Sequence, residues 1–311
     1  MEALTTTNNK IVNTQELSAN LYNEFLQYIE ASPKTIETYS RAIKQFIKYM
    51  ADNGITRPTR DDVIAFRDEL KENHKPTTVQ NYIVAIRLFF NWTSQAGYYP
   101  NIAEHVKGAK LNREHKKDYL TSAQIKDVLQ SIDQTTAEGI RDYALISLIL
   151  AGGLRTIEVN RALIEDIRTI GNTTVLYLQG KGREEKTEYV KLAQPVEKAL
   201  RSYLATRENV TDEQPLFIST SNNSKGEALS TRTIRGIIKE TFRKAGYDSE
   251  RLTAHSLRHT AVTLALLGGA KLEEAQQFAR HSNIQTTQIY AHNLDRLNNQ
   301  CESNIASAIW G

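Results

Sequence analysis

Cysteine is nearly missing from this chain: Cys301 stands alone among 311 residues. One thiol cannot close an internal disulfide or build a thiolate metal site, which fits a reducing compartment and points to the cytoplasm. Long apolar runs are missing as well. The best of them, Ala144 to Ala151, is far too short to span a bilayer, and the polar stretch Met1 to Lys10 lacks an apolar segment that could direct secretion. A soluble protein with no membrane partner is expected. No cluster of carboxylates has metal-ligand spacing, so no metal site is expected, and phosphoryl transfer built on acid-held divalent ions has no foundation here. Neither charge sign dominates. A net charge of +3 argues only weakly for nucleic acid, unless the basic residues gather on faces. No internal repeat or low-complexity tract is evident.

What is present suffices for two packed interiors, since 311 residues with 40% hydrophobic content exceed the size at which single cores usually divide. From Glu16 to Ala96 the pattern is helical. Leu17, Leu21, Phe25 and Tyr28 mark the apolar side of a first helix. Ser32 and Pro33 predict an N-cap and first turn for a second, in which Ile36, Tyr39, Ile43, Phe46, Ile47 and Met50 recur at helical spacing until Gly54. Lys34, Arg41, Lys44 and Lys48 fall on the other side of that helix, a basic stripe behind an apolar one. Thr59, with Asp62 at N3, opens a third helix through Val63, Phe66 and Leu70. A fourth opens near Thr77 or Thr78 and carries Val79, Tyr82, Ile83, Ile86, Phe89 and Phe90 to Gly97. The first third is therefore a four-helix unit with short connections.

The stretch from His105 to Asp118 has no periodicity and concentrates Lys107, Lys110, Arg113, Lys116 and Lys117. It is an interdomain linker able to lie along a phosphate backbone, or an ordinary solvated loop. Beyond it, Thr121 with Gln124 forms a capping-box signature, and Ile140 to Leu150 is a buried helix. Strand signals appear at Glu165 to Ile170, Thr173 to Gln179 and Lys186 to Lys191, predicting a small antiparallel sheet. Helices resume near Gln194 and run to the C-terminus, apart from a short apolar piece at Pro215 to Ser219.

Six residues carry the chemistry: Arg155, Lys181, His255, Arg258, His281 and Tyr290. They form a set of donors for anionic oxygen, closed by one side chain able to become a covalent nucleophile. Arg155 follows the glycine turn Gly152-Gly153 at a helix start, where anions are favoured. With Glu158 three residues on it also fits a surface ion pair, unless Glu158 orients it from below. Lys181 sits between Gly180 and Gly182 at a hairpin tip, able to reach into a cleft or to stand in solvent. His255 and Arg258 are three apart and share a helix face suited to phosphoryl oxygens, whereas His259 points elsewhere and is structural. Tyr290 ends an apolar helix, yet threonine, glutamine and histidine flank it. On the segment from Thr231 to Lys244, Arg232, Arg235, Lys239 and Arg243 share one face and Ile234, Ile237, Ile238 and Phe242 the other, which suits a DNA groove or a solvated surface helix.

The order Gly-Leu-Arg155-x-x-Glu, Gly-Lys181-Gly, His255-x-x-Arg258, His281 and Tyr290, with Tyr290 32 positions after Arg258, resembles the tyrosine recombinase (integrase) family, in its Xer-like and transposon-type members. The resemblance implies a mainly α fold with a small antiparallel sheet. Residues 1–14 would be a flexible N-terminus, 15–104 a four-helix, SAM-like core-binding domain, 105–118 a linker, and 119–311 an α+β catalytic domain. It implies that Tyr290 attacks a DNA phosphate to leave a 3′-phosphotyrosyl bond, with no nucleotide or metal cofactor. Arg155 and Arg258 would neutralise the phosphate, Lys181 would protonate the leaving 5′-oxygen, His255 would accept a proton or ligate oxygen, and His281 would donate further. The implied partners are duplex DNA with paired sites, clamped between the domains, copies of the chain in a tetramer, and a second recombinase or accessory protein. The tail from about 293, with Leu294, Leu297, Ile305 and Ile309, would dock on a neighbouring protomer or pack on its own domain. With about 15 residues before the first helix, no arm-binding domain of the lambda type is expected. A regulator without strand exchange and a type IB topoisomerase are the alternatives. Two features depart from the family pattern: Asn160-Arg161-Ala162 replaces a leucine-rich segment, and Arg280 stands where glycine is common, either crowding the helix start or adding a phosphate contact.

Overall fold

The computed structural model describes residues 19–110, 118–180, 185–298 and 300–310. The chain divides into two compact units, Met1–Glu114 and His115–Gly311.

In the first unit α1 (Ala19–Tyr28), α2 (Pro33–Asp52), α3 (Arg60–Asn73) and α4 (Pro76–Gln95) enclose an aromatic core. Local chemistry sets the helix ends. Ser32 Oγ accepts from the Thr35 backbone N–H with Pro33 at the first position of α2, and the Thr59 N–H donates to Asp62 at the start of α3. Pro76, not Thr77 or Thr78, opens α4, because its fixed φ suits the first turn. Phe25, Phe46, Phe66, Phe89 and Phe90 are all buried, and Phe46 meets Phe66 and Phe90 edge-on with ring centroids 5.2 and 5.9 Å apart. Tyr28 differs from expectation: at the end of α1 it is 48% exposed and only leans on Trp92. Leu17 lies outside the described residues. Past α4, Ala103 and Val106 are buried in this same core, and Arg67 Nη1 donates to the Lys107 carbonyl at 3.0 Å. Lys107 and Lys110 are exposed, while Arg113, Lys116 and Lys117 lie outside the described residues.

The second unit is built on α6 (Ala137–Gly152), whose Leu145, Ile146, Leu148 and Ile149 have no exposed surface. A helix apolar on every side must be enclosed, and α8 (Gln194–Leu204) and α10 (Ala254–Leu267) pack against it. Before it comes α5 (Ser122–Gln130), capped reciprocally by Thr121 and Gln124; after it comes the short α7 (Thr156–Asn160). Then β1 (Ile167–Ile170), β2 (Thr173–Leu178) and β3 (Glu188–Lys191) form one antiparallel sheet in the order β1-β2-β3. Gly171, at φ 59°, makes the tight β1–β2 turn. The outer strands are shorter than predicted for one reason. Ile164–Asp166 is a 3₁₀ turn in which the buried Asp166 carboxylate accepts from the Leu163 N–H and from Lys186 Nζ at 2.8 Å, so neither Glu165 nor Lys186 joins the ladder. The remaining helices are α9 (Thr231–Lys244), α11 (Leu272–Ala279), α12 (Ile284–Asn298) and α13 (Cys301–Trp310). Ile305, Ile309 and Trp310 on α13 are exposed, so these tail residues do not pack on their own domain.

The chain has two tryptophans, of which Trp92 is buried in the first unit and Trp310 is exposed, so loss of the first core is read by Trp92 fluorescence. Phe46→Ala should lower the stability of that unit by about 3–5 kcal/mol in a denaturant titration. A loss below about 1 kcal/mol would show that Phe46 is not central to it.

Candidate active site

The site begins at the sharp reversal between α6 and α7. Gly153 caps α6 in the left-handed conformation at φ 57°, and a Cβ there would approach the Phe278 ring to 2.9 Å. Glycine is therefore required twice over, for the backbone and for the close passage of α11. Two residues on, Arg155 is the N-cap of α7, and Glu158 reaches back to its backbone N–H at 2.8 Å. Arg155 Nη1 donates to Glu158 Oε1, also at 2.8 Å, and Arg155 Nη2 to the Arg280 carbonyl at 3.0 Å. Glu158 has no exposed surface, which places it beneath Arg155 and not in a solvent ion pair.

Arg258 comes from α10 and is almost wholly buried. Its guanidinium donates to the carbonyls of Gly153 and Ala279, tying the α6–α7 turn to the end of α11. Burial pushes its pKa down to about 9, helped by the charges of Arg155 and Arg280, so the cation persists at pH 7. His281 follows Arg280 in the α11–α12 turn, with its Nδ1 2.9 Å from the Thr287 hydroxyl, which leaves Nε2 for a ligand. Burial, then the charges of Arg258 and Arg155, lower its pKa to about 4, so it is a neutral imidazole at physiological pH.

Tyr290 on α12 is buried, and its ring lies 4.5 Å from that of His259 and 6.1 Å from that of His281. Burial raises its pKa, against the opposing pull of Arg258 and Arg155. The phenol is thus protonated at neutral pH while standing within the field of both guanidiniums. Burial likewise acts to raise the Glu158 pKa, but the charge of Arg280 and the hydrogen bonds and charge of Arg155 outweigh it, and the carboxylate stays ionised below its usual range.

Of the six residues proposed from sequence, Arg155, Arg258, His281 and Tyr290 converge in this way. His255 is exposed on the first turn of α10, with its ring 5.2 Å from that of His259. Lys181 lies outside the described residues. His259 is expected to point away, and the structure corrects this: its ring lies 5.2 Å from that of His255 and 4.5 Å from that of Tyr290. Its spacing of four from His255 carried the signal, since residues four apart share a helix face. Thr287, one of the threonines flanking Tyr290, is a further site residue through its bond to His281, which the sequence did not single out. Arg280 does not crowd the helix start; its side chain turns inward, where Nη2 lies 3.0 Å from Glu158 Oε2.

The basic faces are less free than predicted. On α2, Lys34 and Arg41 both pair with Glu37, Lys48 pairs with Asp52, and Lys44 lies over the Tyr22 ring. On α9, Lys239 pairs with Asp248 and Arg243 with Glu240, while among the described residues Arg232 and Arg235 are exposed cations without an ion pair. The intervening acids were left out of the pattern that made these faces look uniformly basic. The apolar side of α9 is as expected, with Ile234, Ile238 and Phe242 buried. Among the described residues no group of three or more His, Cys, Asp or Glu is arranged to hold a metal ion, and no helix is long and apolar enough to cross a membrane.

Residues 118–296 match the model of the phage integrase family, and residues 19–97 match that of the phage integrase N-terminal SAM-like domain. The chain belongs to the phage integrase family, the tyrosine recombinases. Tyrosine recombinase XerC of Caldanaerobacter subterraneus subsp. tengcongensis is 28% identical over 304 residues, covering 88% of this chain and 82% of that protein. Tyrosine recombinase XerC of Corynebacterium glutamicum is 31% identical over 224 residues, covering 71% of this chain and 69% of that protein. In fold, the chain resembles the XerH site-specific recombinase in its post-cleavage complex with a palindromic difH substrate, with a TM-score of 0.74 at 22% identity over 93% of this chain and 84% of that one. This chain is accordingly an enzyme, a site-specific DNA recombinase, and these relatives lend no support to a regulator or a topoisomerase.

In the DNA-free recombinase, the Hε1 proton resonance of His281, assigned by comparison with His281→Gln, should titrate with a midpoint near 4. A midpoint at or above the ordinary 6.5 would contradict the buried, cation-flanked site described here.

Proposed function

We propose that Tyr290 is the nucleophile of strand exchange and that Arg155, Arg258, His281, His255 and Lys181 serve it. The Tyr290 Oη bonds to a backbone phosphorus of duplex DNA, and the bond from that phosphorus to the 5′-oxygen breaks. A 3′-phosphotyrosyl link and a free 5′-hydroxyl result, and reversal with a different 5′-hydroxyl completes the exchange. One phosphodiester replaces another, so the reaction needs no nucleotide energy source.

The observation that carries this reading is the place of the Tyr290 ring, packed against two histidines and within the field of Arg155 and Arg258. Arg155, Arg258 and Arg280 less the one carboxylate of Glu158 leave two positive charges in a largely buried site. A pentacoordinate phosphorus carries one more negative charge than the diester, and preorganised cations stabilise that increment most where water is excluded. Arg155 and Arg258 take the non-bridging oxygens. His281, neutral and steadied by Thr287, donates through Nε2. The raised pKa of Tyr290 means that its proton needs an acceptor, and His255 is assigned that role, with His259 holding the phenol ring in place. Lys181 delivers a proton to the departing 5′-oxygen.

Exposed Arg232 and Arg235 on α9, with Lys107 and Lys110, contact the DNA backbone. Lys239, Arg243, Arg41, Lys44 and Lys48 join them by exchanging carboxylate or ring partners for phosphate, which costs little because surface ion pairs contribute about 0–1 kcal/mol. Lys116 and Lys117 are assigned to the same backbone. Exposed Ile305, Ile309 and Trp310 dock on a neighbouring protomer and couple a tetramer on paired sites. The enzyme acts in the cytoplasm, and a second recombinase or accessory protein can share the assembly.

Incubated with nicked suicide duplexes, wild-type protein should become covalently linked to DNA, and Tyr290→Phe should abolish the link while leaving DNA affinity within about twofold. An undiminished adduct in Tyr290→Phe would remove Tyr290 from the chemistry.

A further inference from the structure

The turn after α11 holds a residue that its backbone does not favour. Arg280 lies in the left-handed region, with φ 52° and ψ 47°. That conformation brings Cβ against the following carbonyl and usually falls to glycine at a helix C-terminus. A glycine here would complete the turn unaided, so the arginine side chain has to be explained by what it touches.

It touches the turn that carries Arg155 and shares a carbonyl acceptor with Arg258. Nη1 donates to the carbonyls of Phe278 at 2.8 Å and Gly152 at 3.3 Å; Nη2 donates to the Gly153 carbonyl and to Glu158 Oε2, each at 3.0 Å. The side chain is 6% exposed, so these bonds span from the α11–α12 turn to the α6–α7 turn through protein and not through solvent. Arg155 closes the circuit. One of its terminal nitrogens is held by Glu158, which Arg280 grips from the other side, and the second is held by the carbonyl of Arg280 itself. Arg258 enters the same circuit, because the Gly153 carbonyl accepts from both Arg258 and Arg280.

We propose that Arg280 is a positioning residue for phosphate activation: with Glu158 it locks the Arg155 guanidinium, and through the Gly153 carbonyl it sets Arg258 in register, before DNA arrives. A planar fork of donors suits this task. A lysine could offer the charge but only three donors at a single point, too few for the four acceptors that the fork holds. The proposal rests on the strand-transfer reading given above and adds to it a residue that never meets the substrate.

The test uses the full-length protein and a nicked duplex carrying the site recovered from DNA linked to wild type. It compares wild type, Arg280→Gly and Arg280→Lys at saturating protein, on a normal scissile phosphodiester and on a methylphosphonate at the same position. Replacing one non-bridging oxygen by methyl removes the charge that the arginines exist to neutralise. On the phosphodiester, Arg280→Gly should slow adduct formation by roughly 10–100-fold with DNA affinity unchanged. On the methylphosphonate the same variant should come within about threefold of wild type. Arg280→Lys should show the same dependence on substrate charge with a smaller deficit, and it carries the comparison if Arg280→Gly does not fold. Equal deficits on the two substrates would mean that Arg280 merely supports the fold and would overturn the proposal. So would wild-type rates for both variants on the phosphodiester. A wild type that forms no adduct on either substrate would instead overturn the strand-transfer reading, and this proposal with it.

Discussion

A carboxylate with no exposed surface, Glu158, stands between two guanidiniums, and the order of the site follows from the need to satisfy it. Burying an ionised carboxyl costs several kcal/mol unless partners surround it. Here Arg155 supplies its backbone N–H and one terminal nitrogen, and Arg280 supplies another. Each donor that stabilises the carboxylate is fixed by it in return. A flexible arginine would lose rotamer freedom on meeting a phosphate; one already held by a buried acid has lost it during folding.

The same acid limits the electrostatic cost of assembling cations. Burial, then the charges of Arg155 and Arg280, lowers the pKa of Arg258 to about 9, and burial with the charges of Arg258 and Arg155 drives His281 to about 4. Without the carboxylate, three guanidiniums would face each other uncompensated. With it, the site keeps an excess of positive charge that a phosphate undergoing attack can use. Backbone carbonyls of Gly152, Gly153, Phe278, Ala279 and Arg280 serve as further acceptors, which explains why the turns around the site end helices rather than extend them.

Features determined by neighbours in the chain were legible in the sequence. Ser32 with Pro33, and Thr121 with Gln124, announced helix starts because capping acts within three residues. The apolar stretch from Ile140 to Leu150 could only be enclosed, and the order of the arginine, histidine and tyrosine motifs pointed to the site as a whole. What depends on distant partners was not legible. Arg280 looked like an obstruction or a phosphate ligand because its acceptors lie more than a hundred residues away at Gly152, Gly153 and Glu158. His259 was given a structural role on another side of the helix, although its spacing from His255 placed it on the face that meets Tyr290. The basic stripes lost their apparent freedom once Glu37, Asp52, Glu240 and Asp248 were seen beside them.

One buried negative charge, Glu158, therefore aims the positive ones around it. The direct measurement is the single-turnover rate of protein–DNA linkage for Glu158→Gln at saturating protein, since the amide keeps the shape and removes the charge. A fall of tenfold or more, roughly, with DNA affinity intact is the predicted result. A rate within about twofold of wild type would show that the arginines aim themselves and would contradict the account.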